Sequence, residues 1–416
     1  MASLRFEGAL QSLSERQEQF IREVLKNRGF VDNRVFFEAA GKAGDNYVAA
    51  ALRVTVSVDG GDDFKMIAKI APQNQDLRNT MNTALAFSNE IVIYEQVLPK
   101  LRSLQLASGV PESEILKYAK CYGCQSEEPH EVVLLEDLKP LGYVMLDRLA
   151  PMSEEAVLLV LKNFAILHSL SFALKTLEPD TYKKFTSRLA HIWSAITGKQ
   201  EFTDYMGQLE NSTLDILGDE SYKKHLRGVL TQTDSYVQKC KKSETSKYLV
   251  IHQGDAWTNN IMFKLNGQTP SDAIMIDYQM SSETTPAGDI LYFMFNCTSH
   301  AARSKHYREW LCYYHEHLDK SLSRFGLKAK NVYPKDQLES DMKKYSMQYF
   351  GFAVMLYSVL LRNPEEAAKM HEAISNHEVE KMEGMPIQSM SGNTINKFKS
   401  KVQDLIDSYI EFGYIS

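Results

Sequence analysis

Hydrophobic period changes once, near residue 140, along this chain of 416 residues. Before that point strand-like runs dominate. "RVFFEAAGKAGDNYVAALRVTVSVDGGDDFKMIAKIAP" (34–72) is dense in β-forming residues, and its Gly, Asn and Asp clusters suit turns, so three antiparallel strands are expected. "ILKYAKCYGCQ" (115–125) and "EVVLLEDL" (131–138) read as two more strands. Between the first three strands and these two, "ALAFSNEIVIYEQVLPKL" (84–101) repeats Phe87, Ile91, Tyr94 and Leu98 at helical spacing, with Pro99 near its end. From "PMSEEAVLLVLKNF" onward the period is helical, with Ser153 and the Glu154–Glu155 pair placed to cap and charge a first turn.

One segment interrupts the helical half. Strand "KYLVI" breaks at "HQGD", resumes at "NIMFKL", turns through "NGQTPSD" and returns as "AIMID" (273–277). A chain of this length suggests two lobes. The expected class is therefore α+β: a small β-rich lobe over 1–138, a hinge near 138–142, and a large helical lobe over 139–416 that carries a polar β-hairpin. Ligands favour the cleft of such an arrangement.

Composition removes several alternatives. A formal net charge of −6 argues against a chain built to neutralise nucleic-acid phosphates. The first 25 residues lack a continuous apolar core and an A-x-A site, so they read as a surface helix and not as a signal peptide. "YFGFAVMLYSVLL" (349–361) falls short of the roughly 20 residues a bilayer span needs, so a buried helix is expected. Five cysteines show no disulfide framework, and "CYGC" (121–124) has no second pair to complete a zinc site. Half-buried thiols, a reducing cytosolic setting and a monomer are expected.

The hairpin holds the residue types that phosphoryl transfer requires. A carboxylate must orient or accept the proton of an attacking hydroxyl, and an amide oxygen plus a second carboxylate must hold Mg²⁺ against phosphates. Asp255, Asn260 five residues on, and Asp277 beyond the returning strand supply that set. "GDAWTNNIMF" together with "MIDYQ" resembles the catalytic and metal-binding segments of the ecdysteroid kinase-like family. That family is related to choline kinases and aminoglycoside phosphotransferases and shares their protein-kinase-like bilobal fold. The resemblance runs from about residue 30 to about residue 380.

It implies ATP and Mg²⁺ as cofactors, Asp255 as the catalytic acceptor of the hydroxyl proton, and Asn260 and Asp277 as metal ligands. It also implies an ion pair between Lys69 of "MIAKIAP" and Glu90 of "FSNEIVIYE" that positions the phosphates. Gly41, Gly44, Asp45 and Asn46 would form the turn over the phosphates, "GDNY" (44–47) being the family's form. An ordinary hairpin turn would use the same residues. Glu136, Asp137 and Leu138 would meet the adenine edge through their backbone, and Asp289 of "PAGD" would support the catalytic loop. The family places His directly before "GD"; here Gln253 stands there and His252 one place earlier, which bears on loop geometry more than on chemistry. His168 lies on an apolar helix face and reads as a core histidine.

The implied acceptor is a hydroxyl on a lipophilic small molecule, an ecdysteroid or related steroid or xenobiotic. No long activation segment separates "MIDYQ" from "PAGD", which disfavours a protein acceptor. The helix at 349–361 could line a hydrophobic pocket or simply be core. Two other readings stay open on these residues: a choline or ethanolamine kinase, and a kinase-fold carrier that binds a lipophilic ligand without transferring phosphate.

Overall fold

Strict alternation of apolar and polar residues builds the first lobe's sheet. In β2 (Arg34–Ala39), β3 (Ala50–Val56) and β4 (Phe64–Ile70) the buried side chains recur at every second position, and the three strands pair antiparallel as expected. β5 (Cys121–Gln125) and β6 (Val132–Glu136) follow, and β1 (Arg5–Gly8) adds a parallel edge, giving the order β1-β2-β3-β4-β6-β5. The structure is a computed structural model that describes residues 4–41, 49–363, 365–369, 387 and 390–415.

The N-terminal segment is not one helix. Residues 5–8 pair with β2, and α1 (Glu15–Asn27) begins only at Ser14, whose hydroxyl and the Gln17 side chain form a reciprocal capping box. α1 covers one face of the sheet, packing Ile21 and Leu25 against Val35, Val54 and Met66. Each such fully buried aliphatic side chain contributes roughly 1.5–3 kcal/mol. Because Met66, Ala68 and Ile70 face α1, the two-residue period of β4 sends Lys69 to the opposite face.

That opposite face receives the helical segment. It comprises α2 (Gln75–Met81), α3 (Thr83–Val92), a π-helical turn over Ile93–Val97, and α4 (Leu98–Ala107). The sequence period suggests one helix ending near Pro99. Pro99 instead lies within it: α3, the π-helical turn and α4 follow one another without a break, and the helix runs on past Pro99 to Ala107.

After a 3₁₀ turn at Lys139–Leu141 the chain enters β7 (Tyr143–Met145), which pairs with the second lobe's hairpin. The second lobe comprises α5 (Glu154–Leu177), α6 (Pro179–Thr186), α7 (Ile192–Thr197), α8 (Gln200–Leu217), α9 (Glu220–Leu226) and α10 (Thr233–Lys242). The polar hairpin comes next: β8 (Val250–Ile251), β9 (Ile261–Asn266), β10 (Thr269–Met275) and β11 (Glu283–Thr284). It leads into α11 (Pro286–Cys297), α12 (His300–Ser323), α13 (Ala329–Val332), α14 (Lys335–Leu360) and α15 (Gly392–Glu411). The architecture is thus α+β, as the change of period indicated.

Ser153 caps α5 by accepting from the Ala156 N–H. This helix is long and apolar enough to cross a bilayer, but 78% of its most apolar window is buried inside the protein, where it packs on α12. It is a core helix. Cys121 and Cys124 are half-buried with their sulfurs 3.5 Å apart, and all five cysteines are free thiols.

Candidate active site

Lys69 joins the two lobes. Its Nζ donates to Glu90 Oε2 at 2.6 Å and to Asp277 Oδ1 at 2.7 Å. β4 supplies the lysine, α3 the glutamate, and the segment after β10 the aspartate. Burial alone would depress the Lys69 ammonium, but Asp277 and Glu90 outweigh it and hold the group above its usual value. Burial raises Glu90 to about 7, against the opposing pull of Lys69. Next to Glu90, the buried Asn89 amide donates to Ala190, Gln279 and Ser281 carbonyls and accepts from the Ala190 N–H. α3 is therefore fastened to the loop that follows Asp277.

Asp277 has φ 59°, a left-handed conformation that costs a non-glycine residue about 1–3 kcal/mol. The Gln253 side chain holds this backbone in place. Its Nε2 donates to the Ile276 and Asp277 carbonyls, both at 2.9 Å, while its Oε1 accepts from the Asp255 N–H at 2.6 Å. One fully buried amide thus ties the loop carrying Asp255 to the segment carrying Asp277. His252, one place earlier, is buried, and its ring Nδ1 hydrogen-bonds with the Ser282 backbone. The displaced histidine accordingly leaves the linking task to the glutamine.

Asp289 grips the same loop from α11. Its carboxylate accepts from the Gln253 and Gly254 N–H groups, each at 2.9 Å, and meets His168 Nε2 at 3.1 Å. Burial opposes ionisation of Asp289, but His252, His168 and the Gln253 N–H hold its carboxyl below the usual range. His168 is fully buried and also bonds the Tyr314 hydroxyl, a satisfied core histidine. Gly254 makes the turn possible: its φ is 90°, and a Cβ there would stand 2.4 Å from the Met280 carbonyl oxygen. Gly254→Ala is expected to destabilise the protein by about 2 kcal/mol or more and to disrupt the loop. A thermal unfolding midpoint equal to the wild type would contradict this.

Asp255 is pinned at both carboxylate oxygens. Asn260 Nδ2 donates to Oδ2 and to the Asp255 carbonyl, each at 2.9 Å, and the Tyr292 hydroxyl donates to Oδ1. Burial, reinforced by the charge of Asp277, pushes the Asp255 carboxyl up to about 8. In its ionised form a carboxylate raised in this way is a stronger proton acceptor.

The fit of a divalent cation can be judged from the donor set. With its nitrogen committed to Asp255, the Asn260 amide keeps its oxygen as an acceptor, and Asp277 adds a carboxylate. These are hard oxygen donors of the kind Mg²⁺ takes, and Mg²⁺ commonly completes its shell with phosphates and water. No cluster of three or more His, Cys, Asp or Glu suited to a metal occurs among the described residues, and a Mg²⁺–phosphate site does not require one. The residues fit the ion.

A cavity of about 680 Å³ opens on this constellation and is lined by Lys69, Asp255, Asn260, Asp277 and Tyr292. Beyond them its wall turns apolar, with Ile192, Trp193 and Ile196 of α7, Phe202 of α8, and Met355 and Leu356 of α14. Trp193 stacks on Phe352 at a ring distance of 4.3 Å. Within 349–361, Met355, Leu356, Val359 and Leu360 line the cavity, whereas Phe350, Phe352 and Val354 are core. That helix is both things at once.

Other expected positions lie apart. Glu136, Asp137 and Leu138 do not line the cavity. The Asp137 carboxylate binds Arg53 Nε at 2.6 Å and the Lys139 N–H, and Glu136 Oε2 accepts from the Lys120 N–H. Gly41 stands just past the end of β2, also outside the cavity lining, while Gly44, Asp45 and Asn46 lie outside the described residues. The residues that sequence reasoning misses are Gln253, Tyr292 and the α7–α8 wall. Tyr292 stands three residues after Asp289, one helical turn along α11, which is the only sequence signal that points to it.

Comparison with known proteins agrees with the resemblance in the hairpin. Aminoglycoside phosphotransferases appear among the similar solved structures. A GDP complex of a single-residue variant of aminoglycoside 2'-phosphotransferase IIIa is 14% identical over 88% of this chain and 98% of that chain, with a TM-score of 0.43. An aminoglycoside phosphotransferase from Streptomyces rimosus in complex with ADP and streptomycin is 13% identical over 82% of this chain and 99% of that chain, with a TM-score of 0.31. Likenesses this distant say nothing about acceptor or mechanism. No curated protein matches the chain. The model of the ecdysteroid kinase-like family matches residues 43–327, well over half of the sequence and the whole stretch from Lys69 to Tyr292. The chain therefore belongs to the ecdysteroid kinase-like family and is, by class, a small-molecule kinase.

Proposed function

We propose that this protein transfers the γ-phosphoryl group of ATP, with Mg²⁺, to a hydroxyl of a lipophilic alcohol, an ecdysteroid or a related steroid or xenobiotic. One observation carries the reading. The Lys69 ammonium binds Glu90 and Asp277 together, in a cavity that also exposes Asp255 and runs on into an apolar wall. Charge for phosphates and an oily bed for an acceptor share one space.

In this mechanism the acceptor hydroxyl approaches Asp255, which receives its proton. The alcohol oxygen bonds to the γ-phosphorus as the bond to the bridging oxygen breaks, and ADP departs with that electron pair. Lys69, fixed by Glu90, neutralises phosphate charge, and Asn260 and Asp277 would hold the metal. When bound, Mg²⁺ would neutralise charge developing on the phosphate oxygens. Positioning and electrostatics supply most of such a rate enhancement, so the anchoring by Gln253 and Asp289 matters as much as the reacting groups.

Phosphates would take the part of this space beside Lys69 and Asp277, and the apolar wall supports a lipophilic acceptor in the remainder. A mass-spectrometric screen of steroid and xenobiotic alcohols, with choline and ethanolamine alongside, tests this with Mg-ATP as donor. The expected result is a product heavier by one phosphoryl group from a polycyclic alcohol. Products from choline alone would favour the amino-alcohol reading. Nucleotide binding without transfer to any alcohol in a broad panel would favour a carrier.

A further inference from the structure

We propose that Tyr292 is a positioning residue for phosphoryl transfer, orienting the Asp255 carboxylate toward the acceptor hydroxyl while its ring forms the wall beside it. The inference rests on the reading of Asp255 as proton acceptor. It goes further by assigning a role to a side chain outside the hairpin.

α11 holds the loop at three consecutive residues from one face. Asp289 accepts from the N–H groups of Gln253 and Gly254, and Tyr292, one turn later, donates to the side chain of Asp255. The first two contacts fix backbone. Only the third fixes the carboxylate itself, together with Asn260 on its other oxygen. Asn260 is also the amide whose oxygen fits a metal, so its orientation answers to two demands. Tyr292 answers to one.

The ring is held as firmly as the hydroxyl. Tyr292 is almost fully buried, makes an edge-to-face contact with Tyr349, and lines the cavity that Asp255 and the apolar wall also line. Burial, and then the charge of Asp255, keep the phenol protonated, so it donates throughout the working pH range. A carboxylate oxygen accepting one such bond retains a second lone pair for the incoming proton. Without the phenol, the Asn260 bond to Oδ2 is left to restrain the carboxylate about its last torsion, which is broad in aspartate. Misplacement of a reacting group by about 1 Å costs on the order of 100-fold in rate.

The test is Tyr292→Phe, which keeps the ring and removes the hydroxyl. The expected result is a kcat lowered by about 10–100-fold with the acceptor KM within about twofold of wild type. Tyr292→Leu, which also removes the ring wall, should raise KM in addition. A second readout separates positioning from general support: the Phe variant's deficit should shrink on an acceptor analogue fluorinated beside its hydroxyl. A more acidic hydroxyl depends less on a well-placed proton acceptor. An equal deficit on both acceptors, or a wild-type kcat, overturns the proposal. If Asp255→Asn is inactive while Tyr292→Phe is unimpaired, only the role of Tyr292 falls. If Asp255→Asn also turns over normally, the underlying reading of the site falls with it.

Discussion

Asp255→Asn is expected to lower phosphoryl transfer by about 10²–10⁴-fold while leaving nucleotide affinity nearly unchanged. The substitution is close to isosteric, so the loop should keep its course. Its anchors are the Asp289 carboxylate on two backbone N–H groups and the Gln253 amide on the Asp255 N–H, and none of them touches the altered atoms. The loss is chemical. A carboxamide does not accept a proton at neutral pH, and one of its two ends is a donor. In this site both carboxylate oxygens already receive hydrogen bonds, from Asn260 and Tyr292. An amide can keep its oxygen toward Asn260 and donate its N–H to the Tyr292 hydroxyl, which accepts as well as donates, so the site keeps its shape without its base. In the proposed mechanism nucleotide binding depends instead on Lys69, Asn260 and Asp277. Steady-state kinetics on an accepted alcohol, paired with calorimetric titration of Mg-ATP, separates the two effects. Wild-type turnover in this variant would remove Asp255 from the chemistry.

How much of the fold is legible in the sequence depends on whether a residue's role leaves a pattern. The sheet does, because alternation of buried and exposed side chains in β2, β3 and β4 is written directly into the sequence. So does the start of α5, where Ser153 caps an apolar helix. β7 does not: three residues long, with Val144 and Met145 exposed, it has no alternation to detect and exists because β9 offers an edge. β1 is hidden for the same reason. The π-helical turn before Pro99 adds one residue to the helix without changing its composition.

The site divides along similar lines. Asp255, Asn260 and Asp277 stand out as charged or amide groups on a hairpin between apolar strands, and the family resemblance adds Lys69 and Glu90. The apolar wall cannot stand out, since Ile192, Trp193 and Met355 have the composition of ordinary core residues. Only the space beside them reveals that they face a cavity. Gln253 reads in the sequence as a departure in loop geometry. Its amide turns out to span two segments whose contact depends on tertiary folding, with partners 23 and 24 residues away. Tyr292 is masked by its setting, an almost wholly apolar helix in which a tyrosine reads as packing.

Asp277→Ala is expected to reduce affinity for Mg-ATP by about 100-fold or more, and the loss should vanish or change sign when the metal is removed. The sign follows from charge. Without a cation, a carboxylate bonded to Lys69 at 2.7 Å competes with phosphates for that ammonium and repels them. Removing it should then leave ATP binding equal or somewhat tighter. With Mg²⁺ present the same carboxylate would be one of two protein oxygens fitted to the ion, and its removal leaves Asn260 alone. A backbone effect must be distinguished, because the left-handed φ of 59° is tolerated by Asp better than by Ala. Asp277→Asn supplies the control, since Asn accepts that conformation as readily and carries no charge. Both variants should therefore lose Mg-dependent affinity, the Asn variant with the smaller loss of thermal stability. Titrations of ATP with excess Mg²⁺ and with a chelator, on the wild type and both variants, give the six affinities required. A loss of the same size under both conditions would show that Asp277 shapes the loop and does not hold the metal.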